Sequence, residues 1–171
     1  MPTHMINHAE IISSLIITHG LFDISKDLSN PIFHGLEIGC LQGEFDRYLL
    51  SKFKNLHMTS IDCDPKIEDV SDNTIEFGQR FRLIKERSGD VLFTDKQFNF
   101  VFIDGDHSYE QTKSDILRFV DCIKPGGFIS GHNYDQYCNH PIHPGVKESV
   151  DEIFGNRVKF INSDVTWWVS L

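Results

Sequence analysis

Reactive side chains follow one of the most apolar segments of the chain, at the point where that segment ends. The segment is Phe98–Ile103, and acidic, glycine, histidine and aromatic residues come directly after it. They are Asp104, Gly105, Asp106, His107 and Tyr109. Such a cluster is costly to place beside a core and has no packing role there, so it is usually functional. The sequence therefore predicts a reaction site that combines carboxylate and imidazole groups.

Two glycines four residues apart follow a second short apolar segment, Ile32–Ile38. They are Gly39 and Gly43, and Glu37 precedes them in the pattern E-x-G-x-x-x-G. Glycine lets the backbone approach a ligand closely and turn into a helix without a Cβ clash. A dinucleotide-binding loop would need the spacing G-x-G-x-x-G, but Glu37 and Gln42 stand at two of those places. Nicotinamide or flavin binding is therefore disfavoured, and a plain strand-to-helix turn stays open as the alternative.

Short apolar runs and amphipathic stretches alternate along the chain around these residues. The predicted strands are Ile32–Ile38, His57–Ile61, Phe81–Lys85, Phe98–Ile103, Phe128–Ser130, Val158–Ile161 and Val165–Val169. The predicted helices are Ile6–Thr18, Gly43–Lys54, Lys66–Phe77, Tyr109–Ile123 and Val146–Phe154. This order predicts a doubly wound α/β fold with a mostly parallel, seven-stranded sheet, whose last strand is antiparallel because it closes a hairpin. In such a sheet a ligand lies beyond the carboxyl ends of the strands, where the polar residues above are found.

Several sequence motifs resemble those of a known enzyme family. The pattern E-x-G-x-x-x-G after the first strand resembles motif I of the class I S-adenosylmethionine-dependent methyltransferases. The motifs I-D-G-D-H-S-Y-E, K-P-G-G and G-H-N-Y resemble small methyltransferase domains related to metal-dependent sugar and antibiotic O-methyltransferases. The resemblance extends from about His34 to the C-terminus. It implies a Rossmann-like methyltransferase fold, with residues 1–171 forming a single S-adenosylmethionine-dependent domain.

The resemblance implies roles for the residues at the ends of the first four strands. Gly39 and Gly43 would pass under the methionine part of S-adenosylmethionine, and Glu37 would orient its amino group. Asp62 would contact the ribose hydroxyls and Ser88 the adenine ring, and Asp104 would also contact the cofactor. An Asx turn ahead of Pro65 is the alternative role for Asp62, and a cap of the next turn is the alternative for Ser88.

The same resemblance implies a metal site at Asp104, His132 and Asn133. In metal-dependent O-methyltransferases, oxygen ligands after strands four and five hold a magnesium ion that binds the substrate hydroxyls. His132 stands where many relatives have an acidic residue. Because magnesium prefers oxygen donors, His132 leaves the site one ligand short, shifts its preference toward another divalent metal, or marks a site without metal.

Related sugar O-methyltransferases also carry a histidine at the position of His107, where it is thought to remove the hydroxyl proton. An alcohol is a poor nucleophile, so a base that takes its proton assists methyl transfer. The resemblance therefore implies that His107 and Asp104 are catalytic. Capping of the following helix, or ordering of Asp104, is the alternative role for His107. His143, in the Pro-rich segment before Val146, is expected to line the acceptor pocket.

These features together predict methyl transfer from S-adenosylmethionine to a hydroxyl of a small polar acceptor, with a sugar or glycosylated metabolite among the candidates. One alternative is transfer to nitrogen or to a carboxylate without a metal. The other is a non-catalytic module that only binds the cofactor. The polar cluster after Ile103 disfavours that module, because a pure binder has no use for it.

Composition excludes several other classes of protein. The net charge of −9 and the pI near 5.4 argue against nucleic acid as a partner, since its phosphates require clustered Lys and Arg. No long apolar run or leader-like start is visible in the 171 residues, which predicts a cytoplasmic protein without membrane contact. The four cysteines form no C-x-x-C pair, so free thiols are expected. The domain is nearly minimal in length, so its acceptor pocket is open or is completed by a partner, with a homo-oligomer as one such arrangement.

Overall fold

The computed structural model describes residues 3–22, 31–134, 145–161 and 164–171. The helices are α1 (Thr3–Thr18), α2 (Glu44–Lys52), α3 (Ile67–Thr74), α4 (Tyr109–Phe119) and α5 (Val146–Phe154). The strands are β1 (Phe33–Ile38), β2 (Leu56–Ile61), β3 (Phe81–Ile84), β4 (Phe98–Ile103), β5 (Ile123–Gly131), β6 (Lys159–Ile161) and β7 (Thr166–Ser170). The predicted alternation of strands and helices is confirmed.

The seven strands form one sheet in the order β3-β2-β1-β4-β5-β7-β6. The pairs from β3 to β5 are parallel, and β7 is antiparallel to both of its neighbours, β5 and β6. The predicted doubly wound fold with an antiparallel last strand is therefore confirmed. The strand order reverses between β1 and β4, and ligands of open α/β sheets bind at such a switch point.

Apolar side chains leave the sheet alternately toward its two faces, and each face is covered by helices. Phe100 and Phe102 of β4 join one core with residues of α1 and α2. Val101 and Ile103 of the same strand join the other core with residues of α4 and α5. This alternation follows from the two-residue period of a strand, and it leaves β4 buried on both faces.

Several predicted boundaries are wrong, and the largest differences lie where a helix meets the sheet. The strand β5, predicted at Phe128–Ser130, already begins at Ile123. The helix α4 ends at Phe119 rather than at Ile123, because Ile123 already pairs with Phe98 of β4. The register between β4 and β5 then shifts, which accommodates the 124–127 segment inside β5. The α3 region also ends early, at Thr74, and continues as a 3₁₀ segment that breaks at Gly78.

The first residue after each of four strands still hydrogen-bonds to its neighbouring strand. These backbone N–H···O bonds are Gly39 to Ile61 (2.8 Å), Asp62 to Ile84 (3.1 Å), Asp104 to Ile38 (2.8 Å) and His132 to Ile103 (3.2 Å). Because the ladder continues one residue past each strand, the four donors are held along one edge of the sheet. The sheet therefore positions the predicted site residues directly.

None of the helices in the described part of the chain has the length and apolar character that crossing a bilayer requires.

Candidate active site

A cleft of about 590 Å³ opens at the carboxyl edge of β1 to β4. Small-molecule sites usually measure roughly 300–1,000 Å³. Four of the predicted site residues line this cleft: Gly39, Asp62, Ser88 and Asp104. The structure thus brings together residues that are distant in the sequence, at the point where the strand order reverses.

Asp62, the first residue after β2, holds the glycine-containing loop to the sheet. Its Oδ2 accepts hydrogen bonds from the backbone N–H groups of Cys40 (3.0 Å) and Leu41 (2.9 Å). Its Oδ1 accepts one from the N–H of Asp64 (2.8 Å), so the alternative Asx turn is present. A carboxylate has about four lone-pair sites, and these bonds leave about one for a further donor. The predicted ribose contact would have to use that site, and it stays a prediction.

The glycine loop packs tightly against the residues that follow β4. Gly39 has φ +87°, and a Cβ built on it would lie 2.5 Å from the carbonyl oxygen of Asp104. Only glycine combines this backbone conformation with this close approach. Gly43 also has a left-handed φ of +73°, and it lies at the N-terminus of α2 rather than in the cleft lining. The two glycines therefore shape the loop, and a contact of either with a cofactor stays a prediction.

Glu37 lies in a buried carboxyl pair rather than in the lining of the cleft. Ser60 Oγ lies 3.4 Å from Glu37 Oε2 and 2.8 Å from Asp46 Oδ2. Burial, reinforced by the negative charge of Asp46, raises the pKa of Glu37 well above its usual range. Burial also raises the pKa of Asp46 to about 6, although hydrogen bonds from Glu37 and Ser60 oppose the rise. Glu37 therefore favours its protonated form more than an exposed glutamate does. Its predicted contact with the cofactor's amino group stays a prediction.

Ser88 belongs to a polar group on the side of the cleft formed by α4. Gln111 Nε2 donates hydrogen bonds to Ser88 Oγ (3.1 Å) and to Asp115 Oδ1 (3.0 Å). Gln111 and Asp115 both line the cleft, and the sequence analysis missed them. Their spacing of four residues, which places two polar side chains on one face of a helix, was the available signal. Burial raises the pKa of Asp115, so this carboxyl favours its protonated form more than an exposed aspartate does.

Asp104, which lines the cleft, contacts His107. His107 Nε2 donates a hydrogen bond to Asp104 Oδ1 at 3.2 Å, and the two side chains are 23% and 21% exposed. Burial acts to raise the pKa of Asp104, but hydrogen bonds from His107 and His132 outweigh it and lower that pKa below its usual range. Asp104 is therefore ionised at neutral pH and can orient an imidazole.

The alternative in which His107 caps α4 is wrong. The N-cap of that helix is Ser108, whose Oγ accepts a hydrogen bond from the backbone N–H of Gln111 at 3.4 Å. Tyr109, predicted within the same cluster, instead joins α4 to α5 by donating a hydrogen bond to Glu152. Of the two alternatives for His107, only the ordering of Asp104 remains beside the catalytic role.

The residues after β5 lie near Asp104, because β5 pairs with β4 and both strands end at the same edge of the sheet. His132 Nδ1 lies 3.7 Å from Asp104 Oδ1, and His132 Nε2 donates to the backbone oxygen of Asp164 at 2.9 Å. Asn133 adopts φ +59°, a left-handed conformation that asparagine tolerates better than most residues. Two of the three predicted metal ligands are therefore neighbours, and a metal bound by all three stays a prediction. His143 lies outside the described residues.

A second group of titratable side chains adjoins His132, and the sequence analysis missed it. The rings of His8 in α1 and His132 have centroids 3.6 Å apart and planes tilted by 49°, and His8 Nδ1 lies 2.5 Å from Asp164 Oδ2. His8 and Asp164 are separated by 156 residues, so local spacing could not reveal the contact. The available signal was a histidine one helical turn before Ile12, on the apolar face of α1.

Comparison with known proteins relates this chain to one family. A family model described as a methyltransferase domain matches residues 36–134, which run from within β1 to just past β5 and contain the residues that line the cleft. An uncharacterised protein, R132, of Acanthamoeba polyphaga mimivirus is 29% identical over 156 residues, covering 79% of this chain and 69% of the viral protein.

Two solved structures share the fold at low sequence identity. A candidate O-methyltransferase of Nostoc punctiforme is 12% identical with a TM-score of 0.73, over 98% of this chain. This chain spans only 57% of the Nostoc protein's length. The N-methyltransferase NodS of Bradyrhizobium japonicum, in complex with S-adenosyl-L-homocysteine, is 18% identical with a TM-score of 0.68, over 99% of this chain and 86% of NodS. The same architecture therefore occurs in proteins named for methyl transfer to oxygen and to nitrogen.

Proposed function

This chain belongs to the methyltransferase-domain family, and from that premise we propose that it transfers a methyl group from S-adenosylmethionine to a hydroxyl oxygen of a small polar acceptor. A sugar or a glycosylated metabolite is the acceptor class that we propose. The observation that carries the proposal is the 3.2 Å contact between His107 and Asp104, which lines the cleft. Because an alcohol needs a base more than an amine does, this contact favours a hydroxyl acceptor.

The residues of the cleft fit S-adenosylmethionine in charge and in hydrogen-bonding capacity. Asp62 has about one acceptor site left for a ribose hydroxyl, and a charge-assisted bond there is among the stronger hydrogen bonds. Ser88, which accepts a hydrogen bond from Gln111 on the same side of the cleft, suits the polar edge of an adenine ring. The ionised Asp104 suits a cofactor that carries positive charge on its sulfonium and amino groups.

When bound, S-adenosylmethionine supplies an electrophilic methyl group, whose bond to sulfur breaks as its bond to the acceptor oxygen forms. Asp104 accepts a hydrogen bond from His107 Nε2 and so orients the imidazole. In the proposed step the neutral imidazole of His107 takes the hydroxyl proton, and the carboxylate of Asp104 stabilises the resulting imidazolium. Most of the rate acceleration comes from holding the acceptor oxygen in line with the methyl group.

The donor set at Asp104, His132 and Asn133 does not match magnesium, which prefers oxygen ligands throughout. Magnesium therefore has no part in the proposed reaction. A divalent metal that accepts an imidazole is compatible with the 3.7 Å separation of Asp104 Oδ1 and His132 Nδ1, and metal dependence of the reaction remains a prediction. Full turnover after exhaustive chelation would contradict it.

The hydroxyl acceptor can be tested with S-adenosylmethionine labelled in its methyl group. The purified chain would be incubated with pairs of acceptors that differ only by a hydroxyl or an amino group on one sugar ring. We expect label on the hydroxyl compounds, and loss of that label in His107→Gln. Label on the amino compounds alone, with His107→Gln as active as the wild type, would contradict the proposal in favour of an N-methyltransferase.

A further inference from the structure

Three side chains from separate parts of the chain meet beside the cleft, outside its lining. They are His8 from α1, His132 after β5 and Asp164 before β7. One potential ligand atom from each residue lies within 4.8 Å of the other two. We propose that these three residues bind a divalent transition-metal ion, at a site distinct from the predicted ligand set of Asp104, His132 and Asn133.

The donor set determines the class of ion. Two imidazoles and one carboxylate suit zinc and the neighbouring first-row metals, whereas magnesium and calcium prefer oxygen ligands. Imidazole coordinates metals in its neutral form. The three side chains therefore fit a transition-metal ion better than magnesium or calcium.

The carboxylate of Asp164 provides a second, independent observation. Asp164 is 4% exposed, and its Oδ2 accepts a hydrogen bond from the hydroxyl of Thr166 at 2.6 Å and lies 2.5 Å from His8 Nδ1. Its Oδ1 has no hydrogen-bond donor among the described residues. Buried acceptors without a donor are uncommon in native proteins, and each requires an explanation. A bound cation supplies the missing partner.

The surroundings also orient the histidine that the two candidate metal sites share. His132 Nε2 donates to the backbone oxygen of Asp164, and ligating histidines commonly make such a bond with their second nitrogen. The ring of His132 also contacts that of His8, with centroids 3.6 Å apart, so the two imidazoles lie side by side. An ion here would join α1, the end of β5 and the turn before β7. Because the unfolded chain lacks such a site, binding would also stabilise the fold.

Cobalt(II) is a suitable probe, because its visible absorption reports the number and type of ligands. We expect the metal-stripped chain to bind one cobalt ion with visible bands and to gain thermal stability. His8→Gln and Asp164→Asn, titrated separately, should abolish both effects, and Asp104→Asn should retain them. Cobalt binding that is lost in Asp104→Asn and kept in His8→Gln would overturn the proposal, as would a wild type that binds no cobalt.

A matched control comes from another histidine pair on the sheet. His34 and His57 have ring centroids 5.4 Å apart on neighbouring strands, so they could bind the probe adventitiously. His57→Gln should leave the cobalt bands and the stability gain unchanged. If these effects disappear in His57→Gln, the bound ion belongs to that surface pair and the proposal fails.

A second measurement leaves the three proposed ligands unchanged, so it applies even if His8→Gln does not fold. Pulsed electron paramagnetic resonance of copper(II), bound to the His57→Gln chain, counts the coordinated imidazoles. Two imidazoles are expected from His8 and His132. A single imidazole would contradict the proposal, because the alternative set of Asp104, His132 and Asn133 contains only one. Neither readout depends on methyl transfer, so these tests can fail while the proposed function stands.

Discussion

At the scale of single residues, the proposed chemistry depends on the contact between His107 and Asp104. Asp104 follows β4, which is buried on both faces, and its lowered pKa keeps it charged where an imidazole must be oriented. Ser108, the next residue after His107, supplies the cap of α4 instead. Ser108 thus has the structural role and His107 the proposed catalytic role, and variants of the two residues can test this assignment.

Replacing His107 by glutamine should reduce turnover without loss of structure. Removal of a general base typically costs about two to four orders of magnitude in rate. The melting temperature and the affinity for S-adenosylhomocysteine should stay near the wild-type values. The measurement is single-turnover methyl transfer, with thermal unfolding and calorimetry run in parallel.

Ser108→Ala is the matched control for that experiment. Loss of an N-cap hydroxyl costs about 1 kcal/mol of stability, but turnover per folded molecule should persist. If His107→Gln behaves like Ser108→Ala, the histidine has a structural role and Asp104 or positioning alone must account for the reaction.

The buried pair of Glu37 and Asp46 predicts a dependence of stability on pH. The fold raises the pKa of Asp46 to about 6, above the value of about 3.9 in an unfolded chain. The folded state therefore binds more protons between these two values, so this contribution to stability is fully present below the lower value and is lost as the pH rises through the upper one. Asp46→Asn, which cannot titrate, should lose this part of the slope.

Denaturant unfolding of the wild type and of Asp46→Asn, repeated from about pH 4 to pH 8, measures the effect. The stability of the wild type relative to the variant should fall as the pH rises. Asp72→Asn, at an exposed position of α3, is the control and should follow the wild type. Parallel curves for the wild type and Asp46→Asn would show that the pair does not titrate as described.

Single residues also mark the limit of prediction from sequence. Gly39, Asp62, Ser88 and Asp104 could be predicted as cleft residues because each follows a strand, and parallel strands end at one edge. His8 and Asp164 could not, because they meet only after the chain has brought together positions 156 residues apart. The raised pKa of Glu37 was also not predictable, since it depends on burial beside Asp46.

At the scale of elements, the site depends on the loop after β1 packing against the loop after β4. Gly39 makes this contact possible, because a Cβ there would lie 2.5 Å from the carbonyl oxygen of Asp104. The strands themselves were predictable from their apolar runs. The ends of α3 and α4 were not, because sheet pairing and a glycine break outweigh helical periodicity at those points.

Gly39→Ala should destabilise the fold more than Gly78→Ala. Both glycines have a left-handed φ, +87° and +54°, but nothing lies within 4 Å of a Cβ at Gly78. Each alanine costs about 1–2 kcal/mol for its backbone conformation, and the clash at Gly39 adds about 1–3 kcal/mol. The free energy of unfolding of the two variants measures the difference. Equal losses would mean that the loop after β1 does not contact the loop after β4 as described.

At the scale of the whole molecule, the fold explains where a ligand binds but leaves the acceptor undetermined. The sheet gathers the ends of β1 to β4 around one cleft, and the same architecture occurs in proteins named for methyl transfer to oxygen and to nitrogen. Function therefore depends on the side chains carried by the fold rather than on the fold itself. The family and the cleft were predictable from short motifs at strand ends, whereas the acceptor depends on chemistry that those motifs do not encode.

The central claim is that the cleft at the carboxyl edge of the sheet binds S-adenosylmethionine through Asp62, and calorimetry with S-adenosylhomocysteine tests it most directly. One molecule should bind per chain, and Asp62→Asn should weaken binding by about one to two decades, equivalent to about 1.5–3 kcal/mol for a charge-assisted hydrogen bond. Asp64→Asn, at the exposed neighbouring acidic residue, should bind nearly as the wild type does. Equal affinities of the wild type and Asp62→Asn would remove Asp62 from the cofactor site. Absence of binding to the wild type, or tighter binding of NAD, would contradict the central claim itself.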